Sequence, residues 1–329
     1  MLQNTFPVQA SILSAEALTE QLLSRYALPT PLQCYLLYQG DYDIYSVTTP
    51  EAKYILRISS KERTFEEVEA GVRVLVKLIQ AGIPFAAPLK QLDHTYVQTL
   101  AAPEGPRYAV LYDFAEGEPP GNAITEEQGY SYGQLIARLH KASDVLPQTE
   151  KSPHLNESLL IKQPLEILLP FLQHSPNDRH FLEDLGQTLT SILQTLPRQT
   201  PVYGICHGDA HKRNILCRPA HEPVLIDFEC CYSWRLYDVA TFWWSLSHTP
   251  LAQGQIVWQA YLQGYQNIRP LSSRETDALP FVVLARELYA QAFMFKKVLL
   301  GLRGRGWLNE AYLEQRLTFI RQWLQQHIA

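Results

Sequence analysis

The chain has 329 residues, 46% hydrophobic and 19% charged, with a net charge of −5. That is long enough for about two domains and ordinary for a globular protein, and with no Lys or Arg runs it argues against nucleic-acid and anionic-membrane partners. No apolar run approaches the roughly 18 residues of a membrane span, the first residues lack a secretory pattern, and five scattered cysteines form no disulfide framework, so the expected location is the cytoplasm.

Residues 15–26 place Leu18, Leu22 and Leu23 at helical spacing after Ser14, an N-cap residue. Alternating patterns then predict an antiparallel meander with strands over 33–39, 44–48 and 54–59. In its third strand Lys53, Ile55 and Arg57 share one face, and Tyr54, Leu56 and Ile58 the other. A helix is expected over 64–81, stopped by Gly82-Ile83-Pro84, with Glu66, Glu67 and Glu69 in its first turns, where the dipole favours acids. Strands over 88–92, 95–99 and 107–114 follow. Ala115-Glu116-Gly117-Glu118-Pro119-Pro120-Gly121 then breaks the pattern and marks a boundary between a sheet-rich domain, 1–115, and a mostly helical one, 116–329. The second domain predicts helices over 125–143, 155–172, 179–196, 238–247 with Asp238 as N-cap, 256–265, 275–299 and 310–328.

One stretch interrupts these helices. Two apolar runs flank His207-Gly208-Asp209-Ala210-His211-Lys212-Arg213-Asn214, and Asp227 ends the second run. Phosphoryl transfer from a nucleotide needs a group to orient the acceptor hydroxyl and take its proton, and hard oxygen ligands for the metal that bridges the phosphates. Asp209 suits the first task. Asn214, five residues on, and Asp227, at a strand end, suit the second; the spacing follows H-x-D-x-x-x-x-N and a later metal-binding Asp. His211 is a further candidate to touch the transferring phosphate or the substrate. A competing zinc set would draw on Cys206, His207, His211, Cys217 and His221, but the chain has no C-x-x-C pair. Trp234, Tyr237, Trp243 and Trp244 could form an aromatic cage for a quaternary amine, but Val239, Phe242, Trp243 and Leu246 fit a core-facing helix stripe, the stronger reading.

The motif His207 to Asn214, with Ile226-Asp227-Phe228-Glu229 and Arg235-Leu236-Tyr237-Asp238-Val239-Ala240, resembles the aminoglycoside phosphotransferase and choline kinase superfamily. The tail from Gly264 to Arg286 resembles its homoserine kinase-like and stress-response kinase-like branch. The resemblance implies an α+β, bilobal protein-kinase-like fold: an antiparallel-sheet N-lobe with one main helix, a larger helical C-lobe, and the site between them. It implies Asp209 as catalytic base, Asn214 and Asp227 as Mg2+ ligands, and Asp238, besides capping its helix, as a brace for the catalytic loop. Arg57 stands where a strand cation meets the phosphates of ATP, and Tyr112, Asp113 and Phe114 where a hinge meets adenine. Gly71 occupies the place of the helix Glu that usually pairs with the strand cation, leaving Glu67 and Glu69 as substitutes. Gly208 stands in place of an Arg that senses an activation loop, and Asp227-Phe228-Glu229 in place of Asp-Phe-Gly. Both departures favour a small-molecule hydroxyl as acceptor, an amino alcohol or aminoglycoside. The alternatives are a stress-response type Ser/Thr protein kinase and an inactive nucleotide-binding protein.

Overall fold

The structure is a computed structural model and describes residues 6–146, 152–218, 222–299 and 308–328. The chain divides into two compact units, one formed by residues 1–117, 149–152 and 224–226, the other by 118–148, 153–223 and 227–329.

In the first unit a short helix, Ala15–Ala17 (α1), is capped by Ser14 Oγ. It continues as a wider π turn over Leu18–Leu22 and a tighter 3-10 turn over Leu23–Arg25, so the expected single helix changes pitch twice. Strands Gln33–Gln39 (β1), Tyr42–Thr48 (β2) and Lys53–Ser59 (β3) precede the helix Phe65–Gln80 (α2), and Gln98–Ala102 (β4) and Gly105–Asp113 (β5) follow it. The sheet order is β1-β2-β3-β5-β4, with every neighbouring pair antiparallel.

The predicted strand over 88–92 supplies only an isolated bridge, Pro88 to Tyr112. Proline brings no N–H, and the chain turns at once through His94 at φ 69°, its start held by Asp93 Oδ1 accepting from Thr95 N. The strand after it is therefore displaced to Gln98–Ala102.

Pleating puts Leu56 and Ile58 against Leu18, Leu22, Leu23 and Tyr26. On the other face, Val110 packs with Val72 of α2. Arg57 is the cross-strand partner of Val110, and directly opposed residues share a face, so Arg57 lies on the α2 side of the sheet. Asp43 turns inward to a buried pair with Arg107, Nη2 to Oδ2 2.7 Å.

The second unit is helical: Glu126–Ser143 (α3), Gln163–Leu168 (α4), Pro176–Thr195 (α5), Leu236–Ser245 (α6), Leu251–Gln266 (α7), Ser273–Leu299 (α8) and Glu310–His327 (α9). Tyr203–Cys206 (β6) and Cys231–Trp234 (β9) pair antiparallel, and the two-residue strands Ile215–Leu216 (β7) and Val224–Leu225 (β8), the latter counted with the first unit, lie between them in sequence. The predicted helix over 155–172 is broken into a π turn, α4 and a 3-10 turn, with Pro164 and Pro170 removing N–H donors along it. α3 and α7 approach so closely that a Cβ on Gly133 would lie 2.0 Å from the carbonyl oxygen of Tyr261. Within α8, Ser273–Lys297 is long and apolar enough to cross a membrane, contrary to the expectation from the sequence, but 67% of its apolar window is buried, as in a core helix.

Candidate active site

The loop after β6 is held from beneath by Asp238. Its carboxylate accepts from the backbone N–H of His207 at 2.6 Å and of Gly208 at 3.0 Å. Asp238 is therefore not the expected N-cap of α6: Arg235 stands at that position and Asp238 lies in the first turn, turned onto the loop. His140 Nε2 meets the same carboxylate at 3.0 Å, and its Nδ1 meets Tyr265 Oη at 2.8 Å. A carboxylate only accepts, so the imidazole carries its proton on Nε2 and Nδ1 accepts from the tyrosine. Arg269 then donates to Tyr265 Oη and pairs with Glu275. Burial holds the His140 pKa down to about 4, so the ring is neutral. Burial works against ionised Asp238 too, but the hydrogen bonds from His140 and the Gly208 N–H keep its carboxyl below the ordinary range.

Gly208 has φ +88°, and a Cβ there would lie 3.0 Å from both Glu229 Cβ and Cys231 Sγ. The loop's path disfavours the arginine of protein kinases at this position. His207 is buried, and its Nδ1 accepts from Asp209 N at 3.3 Å, so it braces the turn.

Asp209 is enclosed by donors. Asn214 Nδ2 bonds its carbonyl oxygen at 3.0 Å and its Oδ2 at 3.1 Å. His211 Nε2 lies 3.4 Å from Oδ2, and His211 Nδ1 accepts from Arg213 N. On the other carboxylate oxygen, Arg286 Nη2 of α8 bonds Oδ1 at 2.6 Å. Burial alone would raise the Asp209 pKa, but Arg286, His211 and His207 outweigh it and hold the carboxyl below its usual range. Burial and the Arg286 charge hold His211 low, against the pull of Asp209. Asp227 is exposed and has φ 55°, a left-handed conformation unusual outside glycine and frequent at functional positions.

The first-unit candidates each have local partners. The Arg57 guanidinium lies 3.5 Å over the ring of Tyr42. Glu67 closes a capping box, with Oε2 accepting from Thr64 N at 3.0 Å. Glu69 pairs with Arg73 at 3.1 Å. Asp113 N donates to Ala87 O at 2.8 Å and Phe114 N to Lys53 O at 3.3 Å. Any base recognised by this segment must therefore use other backbone groups of it.

Lys212 is buried; its Nζ donates to Asn122 Oδ1 at 2.9 Å and Thr249 Oγ1 at 2.8 Å. Arg286 is a site residue that the sequence reading missed. Its signal was the pair Arg286-Glu287 inside the apolar run of α8, a place where charges need partners. Glu287 is answered by Arg316, Gln291 and Trp244. Of the aromatic residues considered for a cage, Trp244 and Tyr237 face the protein's own cation: Arg286 stands 5.0 Å from the Trp244 ring and 5.9 Å from the Tyr237 and Tyr289 rings. Trp243 stacks on Trp258 instead, at 4.3 Å. For zinc, the one close group of possible ligands among the described residues is His140, Cys206 and Asp238, the brace under the loop; His221 lies outside the described residues.

The model of the phosphotransferase enzyme family matches residues 39–271. The chain belongs to that family. It is a phosphotransferase with the protein-kinase-like fold. An uncharacterised protein of Synechocystis sp. is 30% identical over 97% of this chain and 88% of its own length. The homoserine kinase of Bartonella tribocorum is 26% identical over 80% of each chain. Among solved structures, a microcompartment-associated aminopropanol kinase superposes with a TM-score of 0.77 at 20% identity, covering 95% of this chain and 98% of its own. An amicoumacin kinase, solved with AMP-PNP, Ca2+ and amicoumacin, gives 0.75 at 18% identity over 94% of each chain.

Proposed function

We propose that this protein transfers the γ-phosphate of ATP to a hydroxyl of a small, amine-bearing molecule, in the class of amino alcohols and aminoglycosides, with Asp209 as the base. The observation that carries the proposal is the grip of Asn214 on Asp209. A single carboxamide nitrogen bonds both the main-chain and side-chain oxygens of the base, which fixes the carboxylate and directs the amide oxygen away from it. That oxygen and the exposed carboxylate of Asp227 are both hard donors, the kind Mg2+ takes alongside phosphate oxygens and water. Mg2+ bound there would neutralise charge on the phosphates.

The remaining steps belong to side chains of this chain. Asp209 orients the acceptor hydroxyl and receives its proton. Arg57 and the segment Tyr112 to Phe114 serve the phosphates and the adenine, while Glu67 and Glu69 support α2 beneath them. His211, neutral and with Nε2 toward Asp209, donates a hydrogen bond near the transferring group. The solved aminopropanol and amicoumacin kinases support a small acceptor, and the position suits the cytoplasm, where ATP is supplied.

The test is radiolabelled ATP offered to a panel of hydroxylated amines and to a protein extract, with wild type and Asp209→Ala. Label on a small amine, lost in the variant, is the expected result. Label on protein alone, or equal rates in both enzymes, overturns the proposal.

A further inference from the structure

Resting on the phosphotransferase reading, we propose that Arg286 is the anchor for a carboxylate on the acceptor, so that the molecule phosphorylated carries an anionic group beside its hydroxyl.

Arg286 is only 8% exposed, and Asp209 is its sole carboxylate partner among the described residues. Its Nη1 donates to Tyr237 Oη at 2.9 Å, and the faces of Tyr237, Trp244 and Tyr289 surround the guanidinium. The side-on edge of a guanidinium, Nε with Nη2, matches a carboxylate with two parallel hydrogen bonds. Here that edge is half used: Nη2 reaches Asp209 Oδ1 at 2.6 Å, and Nε has no acceptor among the described residues.

Asp209 has two sides. Oδ2 faces Asn214 and His211; Oδ1 faces Arg286 on α8. Asn214 marks the side of the metal and phosphates, which leaves the Arg286 side for the acceptor. The aromatic surround that would suit a substrate ammonium is already filled by the protein's own cation. A second cation there would be repelled, and an anion attracted.

The chemistry makes the same demand. The acceptor oxygen forms its bond to the γ-phosphorus as the bond from that phosphorus to the bridging oxygen breaks. The electron pair leaves with ADP, and the hydroxyl proton passes to Asp209. At that moment Arg286 loses its carboxylate partner while still buried, a costly state unless another anion faces it. A carboxylate on the acceptor supplies that anion, fills the open Nε–H, and frees Oδ1 of Asp209 for the hydroxyl.

Matched acceptors test this. L-homoserine and 3-aminopropan-1-ol differ by one carboxylate, as do L-serine and 2-aminoethanol. Binding is measured by calorimetry with AMP-PNP present, and phosphate transfer with ATP, for wild type, Arg286→Met and Arg286→Lys. In wild type at least one carboxylated member should bind about tenfold or more tightly than its twin, the factor carried by one charge-assisted hydrogen bond. The preference should fall to about onefold in Arg286→Met and to an intermediate value in Arg286→Lys, which keeps the charge and remains informative if the methionine variant does not fold. No preference in wild type, including no binding by any of the four, overturns the proposal. So does a preference that survives in both variants. An equal loss for both twins with a raised KM for ATP assigns Arg286 to the phosphate and also overturns it. If carboxylates bind through Arg286 but no acceptor is phosphorylated, the phosphotransfer reading falls and the anchor stands.

Discussion

The sheet holds a buried Arg–Asp pair and the catalytic loop shares a partly exposed one with α8, of nearly the same length, 2.7 Å for Arg107–Asp43 and 2.6 Å for Arg286–Asp209. The first is saturated. Arg107 also donates to Ser59 O at 2.6 Å and Ser11 O at 3.0 Å, and Glu104 lies 3.6 Å away. Its two side chains are 3% and 4% exposed. The second is incomplete: Arg286 keeps an unmet Nε–H, and Asp209 is 29% exposed on its side chain. Equal distances thus serve different ends. A closed network fixes the sheet, whereas an open one keeps a charge ready for exchange.

Asp209→Asn separates the two most strongly. Loss of a general base should lower kcat by about 10²–10⁴-fold, measured as phosphate transfer in the steady state. Folding stability should fall less than in the sheet variant below, because solvent reaching the exposed part of residue 209 can compensate Arg286. Arg107→Met should do the reverse. It leaves Asp43 and Glu104 buried beside no cation, which costs about 3–5 kcal/mol in urea unfolding, while kcat per folded molecule stays near wild type.

The same contrast explains what the sequence disclosed. Asp209 and Asn214 stand five residues apart at diagnostic spacing, so their contact was legible in the chain. The strands β1 to β3 were legible by alternation and were recovered to within a residue or two. Arg286 was not, because its partner lies 77 residues away, and only the packing of α8 brings the two together. Lys212 shows the same limit, since Asn122 and Thr249 reach it from distant segments. Asp238 had the local look of an N-cap, and a tertiary demand won: two loop N–H groups and an imidazole needed its oxygens.

Acid should loosen the loop's foundation. The folded protein keeps His140 neutral down to about pH 4, whereas an unfolded chain protonates histidine near 6.5. Between those values the unfolded state holds more protons, so stability is full above about pH 6.5 and declines as pH falls toward 4. The decline from this residue is roughly 3 kcal/mol. Urea titrations across pH should show it, and His140→Gln, which has no such proton to gain, should flatten the curve.

Gly208→Ala is the smallest of these changes and the sharpest probe of the loop. Alanine at φ +88° meets Glu229 Cβ and Cys231 Sγ at 3.0 Å, and the left-handed backbone costs about 1–2 kcal/mol. Because the N–H of residue 208 is one of two that Asp238 holds, relief of the clash must draw on the bond that positions Asp209. Unfolding should therefore register that modest loss, while kcat falls by more than the same loss of stability placed in the sheet. A variant such as Val47→Ala, trimmed in the first unit's core, serves as the control. If the two variants lose stability equally and kcat is unchanged in both, the Asp238 brace holds the fold without setting the base.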